Sequence, residues 1–255
     1  PELSLQLQTW CFPVVGCVGY RGYFDRARAD AEAAELRKQG LEVGVYGVPA
    51  YSTLGWLNWL GGDPLLNTFI RYPEGELARL IFHELAHQVA YAKGDTLFNE
   101  SFATSVEQIG GRMWLQQHAD AKAREEYARY DGRRREFRAL TWRYRGRLEA
   151  LYRGPASDAD KRDAKAKLMA ELRADYETLK ATSWGGYTGY DEWFKNANNA
   201  SFGVLAAYSE LVPDFERLFE REGRDFARFY AEVKRLAALP KDERHATLKA
   251  NPVSE

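Results

Sequence analysis

Long hydrophobic runs are missing from this 255-residue sequence, and no stretch approaches the ~18 uninterrupted apolar residues that a membrane-spanning helix requires. We therefore expect no membrane span in this chain. The sequence also has no excess of either charge, because 36 lysine and arginine residues stand against 37 aspartate and glutamate residues. With a net charge of -1, the protein has no overall field that attracts nucleic acid, and we expect no nucleic-acid partner.

Cysteine is scarce: the only two, Cys11 and Cys17, are separated by five residues that include Pro13 and Gly16. This spacing is compatible with a disulfide, which would indicate an oxidising compartment, and equally with two buried free thiols. The chain begins at Pro1 with neither an initiator methionine nor an apolar signal block. We expect from this a processed or truncated product.

The first part of the sequence is typical of strands around one helix. Alternating apolar residues predict a strand over residues 3–7 and a further strand near a sheet edge over residues 41–48. Residues 10–20 are rich in valine and aromatic residues, and together with the first strand they indicate a hairpin. Between the hairpin and the last strand, Asp25 is a suitable N-cap and Gly40 a suitable C-terminal residue for a polar, alanine-rich helix. This pattern predicts a small α+β unit.

From Pro73 onward the pattern is almost wholly helical. Apolar residues repeat at helical spacing from Pro73 until Gly94, and a second helix is predicted to begin near Asp95 or Thr96. The pair Gly110-Gly111 inside the second helix indicates a kink or a close contact with another helix.

Residues 119–183 predict a long antiparallel helical hairpin. Residues 119–180 contain 17 basic and 12 acidic residues, and apolar side chains recur every seven residues from Tyr130 to Leu151. Gly154-Pro155 interrupts the first helix, and Ser157 is a suitable N-cap for the second. The charges are expected to form a solvated face.

The predicted fold class is therefore α+β, with a small N-terminal antiparallel or mixed sheet and one helix packed on a mainly helical region that includes the charged hairpin. Four regions are predicted: a strand-rich part (1–72), a pair of helices (73–118), the charged hairpin (119–183) and a C-terminal helical part (184–255). Residues 1–118 and 184–255 are expected to form one domain.

The segment that indicates chemistry most strongly is His83-Glu84-Leu85-Ala86-His87, in the middle of the first predicted long helix. Residues four apart lie one turn apart on the same helix face, so both imidazoles can bind one metal ion. Glu84 lies beside the pair and can reach a metal-bound water. Two of the four histidines of the chain fall in these five residues.

A catalytic zinc ion needs a third protein ligand and an open fourth position. The metzincin pattern fails, because Ala90 and Lys93 stand where it requires glycine and histidine. Glu100, on the next predicted helix, is the candidate, since two antiparallel helices would bring it opposite His87. Thr104 and Glu107 follow Glu100 at i+4 and i+7 and are candidates for orienting a ligand, although Thr104 is equally compatible with an ordinary helix residue.

The pentapeptide, followed by Asn99-Glu100-Ser101-Phe102-Ala103, resembles the gluzincin zinc peptidases, and the second motif is similar to that of the aminopeptidase-N-like branch. A closer resemblance, to a family of bacterial putative aminopeptidases that includes many predicted lipoproteins, covers most of residues 10–115 and, more weakly, residues 198–219. The segments that support it are Trp10-Cys11-Phe12-Pro13, Tyr20-Arg21-Gly22-Tyr23-Phe24, Pro49-Ala50-Tyr51-Ser52-Thr53-Leu54-Gly55-Trp56 and Asp63-Pro64-Leu65-Leu66.

The expected activity is zinc-dependent hydrolysis of peptide bonds in a peptide or protein substrate. One Zn²⁺ is expected on His83, His87 and Glu100, with Glu84 as the general base that takes a proton from the attacking water. The resemblance implies a later tyrosine or histidine that stabilises the oxyanion, for which Tyr208 is the first candidate and Tyr187 and Tyr190 are alternatives.

The resemblance also implies a signal and a possible lipid anchor upstream of Pro1, and it favours a disulfide between Cys11 and Cys17. The expected location is the periplasm or cell envelope of a bacterium, with the cytoplasm as the alternative. Residues Tyr51, Ser52 and Thr53 lie in a segment that can bind substrate as an edge strand or can be an ordinary loop.

Two alternatives stay open at this point. The sequence around Tyr51 has no glutamate of the kind that aminopeptidase-N-like enzymes use to bind a free amine, so an endopeptidase of the same zinc class competes with an aminopeptidase. A non-catalytic protein that binds a partner through the charged hairpin is the other alternative, and Glu84 argues against it.

Overall fold

The structure, a computed structural model, describes residues 1–12, 16–48 and 69–250. Within these residues the chain has two short strands and ten helices, so the predicted α+β class with a mainly helical architecture is confirmed. No described helix is long and apolar enough to cross a membrane. In chain order the elements are β1 Trp10–Phe12, β2 Gly16–Val18, α1 Arg26–Lys38, α2 Glu74–Val89, α3 Thr96–His118, α4 Ala121–Arg153, α5 Asp158–Thr182, α6 Asp191–Asn196, α7 Asn199–Ser209, α8 Val212–Arg221, α9 Phe226–Ala237 and α10 Lys241–Lys249.

Contacts within the chain divide it into two compact units. The first consists of Pro1–Gln8, Arg21–Tyr46 and Ala128–Val204, and the second of Thr9–Tyr20, Gly47–Tyr127 and Leu205–Glu255. Each unit joins segments that are distant in the sequence. The four predicted regions follow the chain order instead, and their status as domains stays a prediction.

The first unit is built on the predicted helical hairpin. Helix α5 begins at its N-cap Ser157, whose hydroxyl oxygen accepts a hydrogen bond from the backbone N–H of Asp160 at 3.2 Å. The two helices run antiparallel, since Arg143 pairs with Asp175 and, one turn later, Arg147 pairs with Glu171 at 2.7 Å. Aromatic rings fill the core of this unit, including those of Tyr144, Tyr176, Trp184, Phe194 and Phe202.

The predicted strands at residues 3–7 and 41–48 are wrong. Neither segment has a strand partner among the described residues. Asn199 instead binds two residues just before the first segment and one residue of the second. The Asn199 amide donates hydrogen bonds to the Pro1 and Glu2 carbonyl oxygens at 3.0 and 2.7 Å, and its backbone N–H donates to the Glu42 carboxylate at 2.7 Å. The Leu7 side chain packs on helix α7 at Gly203, where an added Cβ atom would lie 2.6 Å from Cδ2 of Leu7.

A hairpin near the N-terminus is confirmed in the second unit, within residues 10–18 and without residues 3–7. Strands β1 and β2 pair antiparallel with Cys11 opposite Cys17, and a disulfide joins these two residues. Their alternative as free thiols is thereby excluded.

Helices α2 and α3 form an antiparallel pair at the centre of the second unit. A Cβ atom added at Gly111 would lie 2.7 Å from Cγ of Arg79, and one added at Gly110 would lie 3.2 Å from the ring of Phe82. Helix α3 continues through both glycines, so of the two predicted explanations the close contact between helices is confirmed. Around this pair the buried rings of Phe98, Phe102, Phe215 and Phe229 form an apolar core with helices α8 and α9.

The turn between α2 and α3 is anchored to helix α10. Asp95 caps α3 by accepting a hydrogen bond from the backbone N–H of Phe98 at 3.2 Å. Its carboxylate also pairs with Arg244 at 2.5 Å and lies 2.8 Å from Nε2 of His245. The Asp95 side chain is fully buried and that of Arg244 is 6% exposed. Because both charges are removed from water, each needs the other as its counter-charge.

Replacing Asp95 with asparagine is expected to destabilise the protein by about 3–5 kcal/mol, because Arg244 would stay buried without a counter-charge. Urea denaturation measures the change in the free energy of unfolding. The matched control is Glu220→Gln, which breaks the exposed pair between Glu220 and Arg224 and should cost much less. Equal effects of the two substitutions would contradict the anchoring role of Asp95.

The same pair predicts a pH dependence of stability. Burial raises the pKa of Asp95, but His245 and Arg244 outweigh burial and lower this pKa below its ordinary value. A carboxyl with a lowered folded-state pKa stabilises the protein above its unfolded pKa of about 3.9, and the contribution is lost as the pH falls through the folded-state pKa. As the pH falls below about 4, the free energy of unfolding should therefore decrease less in the Asp95→Asn variant than in the wild type, because asparagine has no carboxylate to protonate.

Candidate metal centre

The candidate site lies where helix α2 faces the first turns of helix α3. His83 and His87 are four residues apart on α2, and Glu100 is the fifth residue of α3. Helix α2 ends at Val89, earlier than the predicted end near Gly94, because residues 90–95 form the turn between the two helices.

The side chain of Asn99 shapes that turn. Its amide oxygen accepts a hydrogen bond from the backbone N–H of Ala92 at 2.8 Å, and its amide nitrogen donates to the Ala92 carbonyl at 2.9 Å. Gly94 has a φ of 75°, a left-handed conformation that favours glycine. The turn is therefore tight enough to place Glu100 beside the histidines.

The three side chains converge on one point. Oε2 of Glu100 lies 3.4 Å from Nε2 of His83 and 3.7 Å from Nε2 of His87. The imidazole rings are 5.1 Å apart and nearly perpendicular, and one ligand atom from each residue lies within 4.8 Å of the others. All three residues are buried, at 9%, 7% and 7% exposure.

A metal ion fits this arrangement. The donor atoms around a tetrahedral ion with bonds of about 2.0–2.2 Å are separated by about 3.3–3.6 Å. The two separations from Glu100, 3.4 and 3.7 Å, are close to that edge length. Two imidazole nitrogens and one carboxylate oxygen also suit a divalent ion chemically.

A second layer of polar groups surrounds His83. Oε2 of Glu107 lies 3.0 Å from Nδ1 of His83, and Oε1 of Glu107 accepts a hydrogen bond from the guanidinium of Arg79. The ring of Tyr208, on helix α7, is nearly parallel to the His83 ring at a centroid distance of 6.2 Å. His87 differs, because its buried Nδ1 has no hydrogen-bond partner among the described residues.

The buried charges shift the protonation of the site. Burial lowers the pKa of His83, but hydrogen bonds with Glu100 and Glu107 outweigh burial and raise this pKa to about 10. Burial lowers the pKa of His87 to about 4; Glu100 opposes this shift and His83 adds to it. Burial raises the pKa of Glu107, yet Arg79 and His83 outweigh burial and lower this pKa to about 2. Glu107 is therefore ionised at neutral pH.

The other predicted site residues differ in position. Glu84 follows His83 on α2, is partly exposed, and is not part of the three-residue cluster. Thr104 is buried on α3, and the described residues show no hydrogen bond between it and the cluster. Tyr51, Ser52 and Thr53 lie outside the described residues. The alternative tyrosines, Tyr187 and Tyr190, belong to the first unit, where the Tyr190 ring stacks on Phe137 at 4.3 Å.

Sequence reasoning missed Arg79 and the role of the Asn99 side chain. The signal for Arg79 was its position four residues before His83, on the same face of a helix whose neighbouring positions are apolar. A charged residue on a buried helix face needs a partner of opposite charge, and Glu107 is such a partner for Arg79. The signal for Asn99 was its position four residues after Asp95, close to the helix start.

These observations define an α+β, mainly helical protein with a candidate metal site formed by two histidines of one helix and a glutamate of the next. A family model described as "Putative aminopeptidase" matches residues 1–248, and the chain belongs to this family. The family's description indicates a peptidase. No match to the chain is found among the curated proteins or among the solved structures.

Proposed function

We propose that the protein is a zinc-dependent peptidase whose metal ion is held by His83, His87 and Glu100. The observation that supports this most directly is the convergence of these three buried side chains, with Oε2 of Glu100 3.4 and 3.7 Å from the two Nε2 atoms. A set of two histidines and one glutamate is a common ligand set of catalytic zinc and leaves a fourth position open. Membership in a family described as aminopeptidases agrees with hydrolysis of peptide bonds.

A bound zinc ion supplies Lewis-acid polarisation of the scissile carbonyl and activates a water molecule. In this proposal Glu84 is the general base: its carboxylate accepts a proton from the attacking water and returns it to the leaving amine. Its position supports that role, because it is next to His83 in the sequence, partly exposed, and outside the three-residue cluster. A purely structural metal site would have no need of this carboxylate.

Tyr208 is proposed to donate a hydrogen bond from its hydroxyl to the oxyanion that forms on the substrate. Support comes from its ring, which lies beside that of His83 at 6.2 Å. We further propose that Thr104 and Glu107 orient the ligands. For Glu107 the support is its contact with Nδ1 of His83 at 3.0 Å, a common means of holding a metal-binding imidazole. Binding of substrate by Tyr51, Ser52 and Thr53 stays a proposal from the sequence alone.

The proposed substrates are peptides with a free N-terminus, in keeping with the family's description. The decisive experiment combines elemental analysis of the purified protein with cleavage of a peptide library in free and N-acetylated forms. We expect about one zinc per chain, release of N-terminal residues from the free peptides, and loss of cleavage with a chelator. Internal cleavage of the acetylated peptides would assign an endopeptidase of the same zinc class, and a protein that neither binds zinc nor cleaves peptides would contradict the proposed function.

A further inference from the structure

Arg79 is a buried cation one helical turn before His83. Its side chain is 7% exposed, and its guanidinium binds Oε1 of Glu107, while Oε2 of the same carboxylate lies 3.0 Å from Nδ1 of His83. One carboxylate thus joins the arginine to the imidazole. Among the described residues, Glu76 also lies beside the guanidinium, at 4.0 Å.

The backbone of α3 is shaped to admit this arginine. A Cβ atom at Gly111 would lie 2.7 Å from Cγ of Arg79, a distance at which one of the two groups must move. Since Cγ is close to the helix α2 backbone, it cannot move as freely as the end of the side chain. Gly111 therefore provides the space in which Arg79 reaches Glu107.

We infer that Arg79 is a positioning residue of the metal site, which acts through Glu107 to hold the imidazole of His83 with Nε2 turned towards Glu100. A carboxylate that binds one partner can rotate about its last side-chain bond. With a hydrogen bond at each oxygen, the plane of the Glu107 carboxylate is set, and so is the direction from which Oε2 meets Nδ1 of His83.

The two histidines differ in this respect. Nδ1 of His83 has this anchored partner, whereas the buried Nδ1 of His87 has no hydrogen-bond partner among the described residues. His83 is therefore the ligand that is oriented before a metal ion arrives, and loss of Arg79 should affect His83 first. This inference rests on the proposed function only in that the site takes a divalent metal ion.

The test compares Arg79→Met with the wild type and with Arg112→Met, a control on α3 whose arginine is half exposed and pairs with Glu216. The first readout is the Nδ1–H signal of the His83 imidazole in proton–nitrogen NMR spectra of metal-free protein, assigned with a His83→Gln variant. We expect Arg79→Met to broaden or remove this signal and Arg112→Met to leave it unchanged. The second readout is Zn²⁺ affinity by chelator competition. This affinity should fall about 10–100-fold in Arg79→Met and stay at the wild-type value in Arg112→Met.

Two further variants separate positioning from folding. Arg79→Lys keeps the charge without the two-pronged guanidinium and should restore part of the affinity. Gly111→Ala keeps Arg79 but displaces it, and should weaken Zn²⁺ binding even though no charge is removed. If Arg79→Met does not fold, the NMR signal and the Zn²⁺ affinity are measured on these two variants instead.

Wild-type values of both readouts in folded Arg79→Met would overturn the inference. A loss of stability alone, with the His83 signal and the affinity intact, would do the same, because it would assign Arg79 a structural role. Failure of the proposed function looks different: the wild type would bind Zn²⁺ without cleaving peptides. If the wild type does not bind Zn²⁺ at all, the NMR comparison in metal-free protein decides the inference.

Discussion

Glu84→Gln is expected to reduce peptide hydrolysis by about 10²–10⁴-fold and to leave the zinc content at the wild-type value. The amide has nearly the shape of the carboxylate but cannot accept the proton of the attacking water. Glu84 is not part of the three-residue cluster, so its replacement should not weaken metal binding. Initial rates on a peptide with a free N-terminus and elemental analysis of the same sample measure the two effects together.

A second glutamate of the same helix provides the control for this substitution. Glu74 is exposed in the first turn of α2, and Glu74→Gln should keep the wild-type rate. If Glu84→Gln retained most of the activity, the general base would have to be a different group. If it lost its zinc together with its activity, Glu84 would belong among the ligands.

Glu100→Ala is expected to lower zinc affinity more than about 100-fold, beyond the range usual for groups that only orient a ligand. The substitution removes the single negative charge of the proposed ligand set and the atom that lies within 3.7 Å of both imidazoles. After dialysis the variant should contain almost no zinc, and its peptidase activity should be lost in parallel. Elemental analysis and competition with a chromogenic chelator measure the change.

The comparison for this variant is Glu107→Gln. Glu107 contacts His83 at Nδ1, on the far side of the ring from Glu100, so its loss should weaken zinc binding by only about 10–100-fold. An unchanged zinc content in Glu100→Ala would remove Glu100 from the ligand set. A larger effect for Glu107→Gln than for Glu100→Ala would reverse the assignment of the two carboxylates.

The helices of this protein were largely predictable, because their determinants are local. Asp25 and Ser157 cap helices as predicted, and Asp95 caps the helix that was predicted to begin beside it. Each of the three accepts a hydrogen bond from a backbone N–H in the first turn. The spacing of apolar residues in the hairpin was equally informative, since it reflects one buried face of each helix.

The strands were less predictable. Alternation over residues 3–7 and 41–48 predicted two strands, yet neither segment is a strand. A strand needs a partner, and pairing is not a local property. Here the side chain of Asn199, about 200 residues away in the sequence, binds the Pro1 and Glu2 carbonyl oxygens just before the first segment.

By itself the sequence determined the identity of the chemical groups: two histidines at helical spacing, a glutamate between them, and the Asn-Glu motif that follows. Helical periodicity is enough to place the two imidazoles on one face. Only the tertiary structure decided that Glu100 meets both rings, that Glu107 contacts His83, and that Arg79 binds Glu107. These contacts depend on how closely α2 and α3 approach, and that distance is set by Gly110, Gly111 and the turn bound by Asn99. The pattern of residues within one helix does not determine the distance to the next helix. The side chains packed between the two helices determine it.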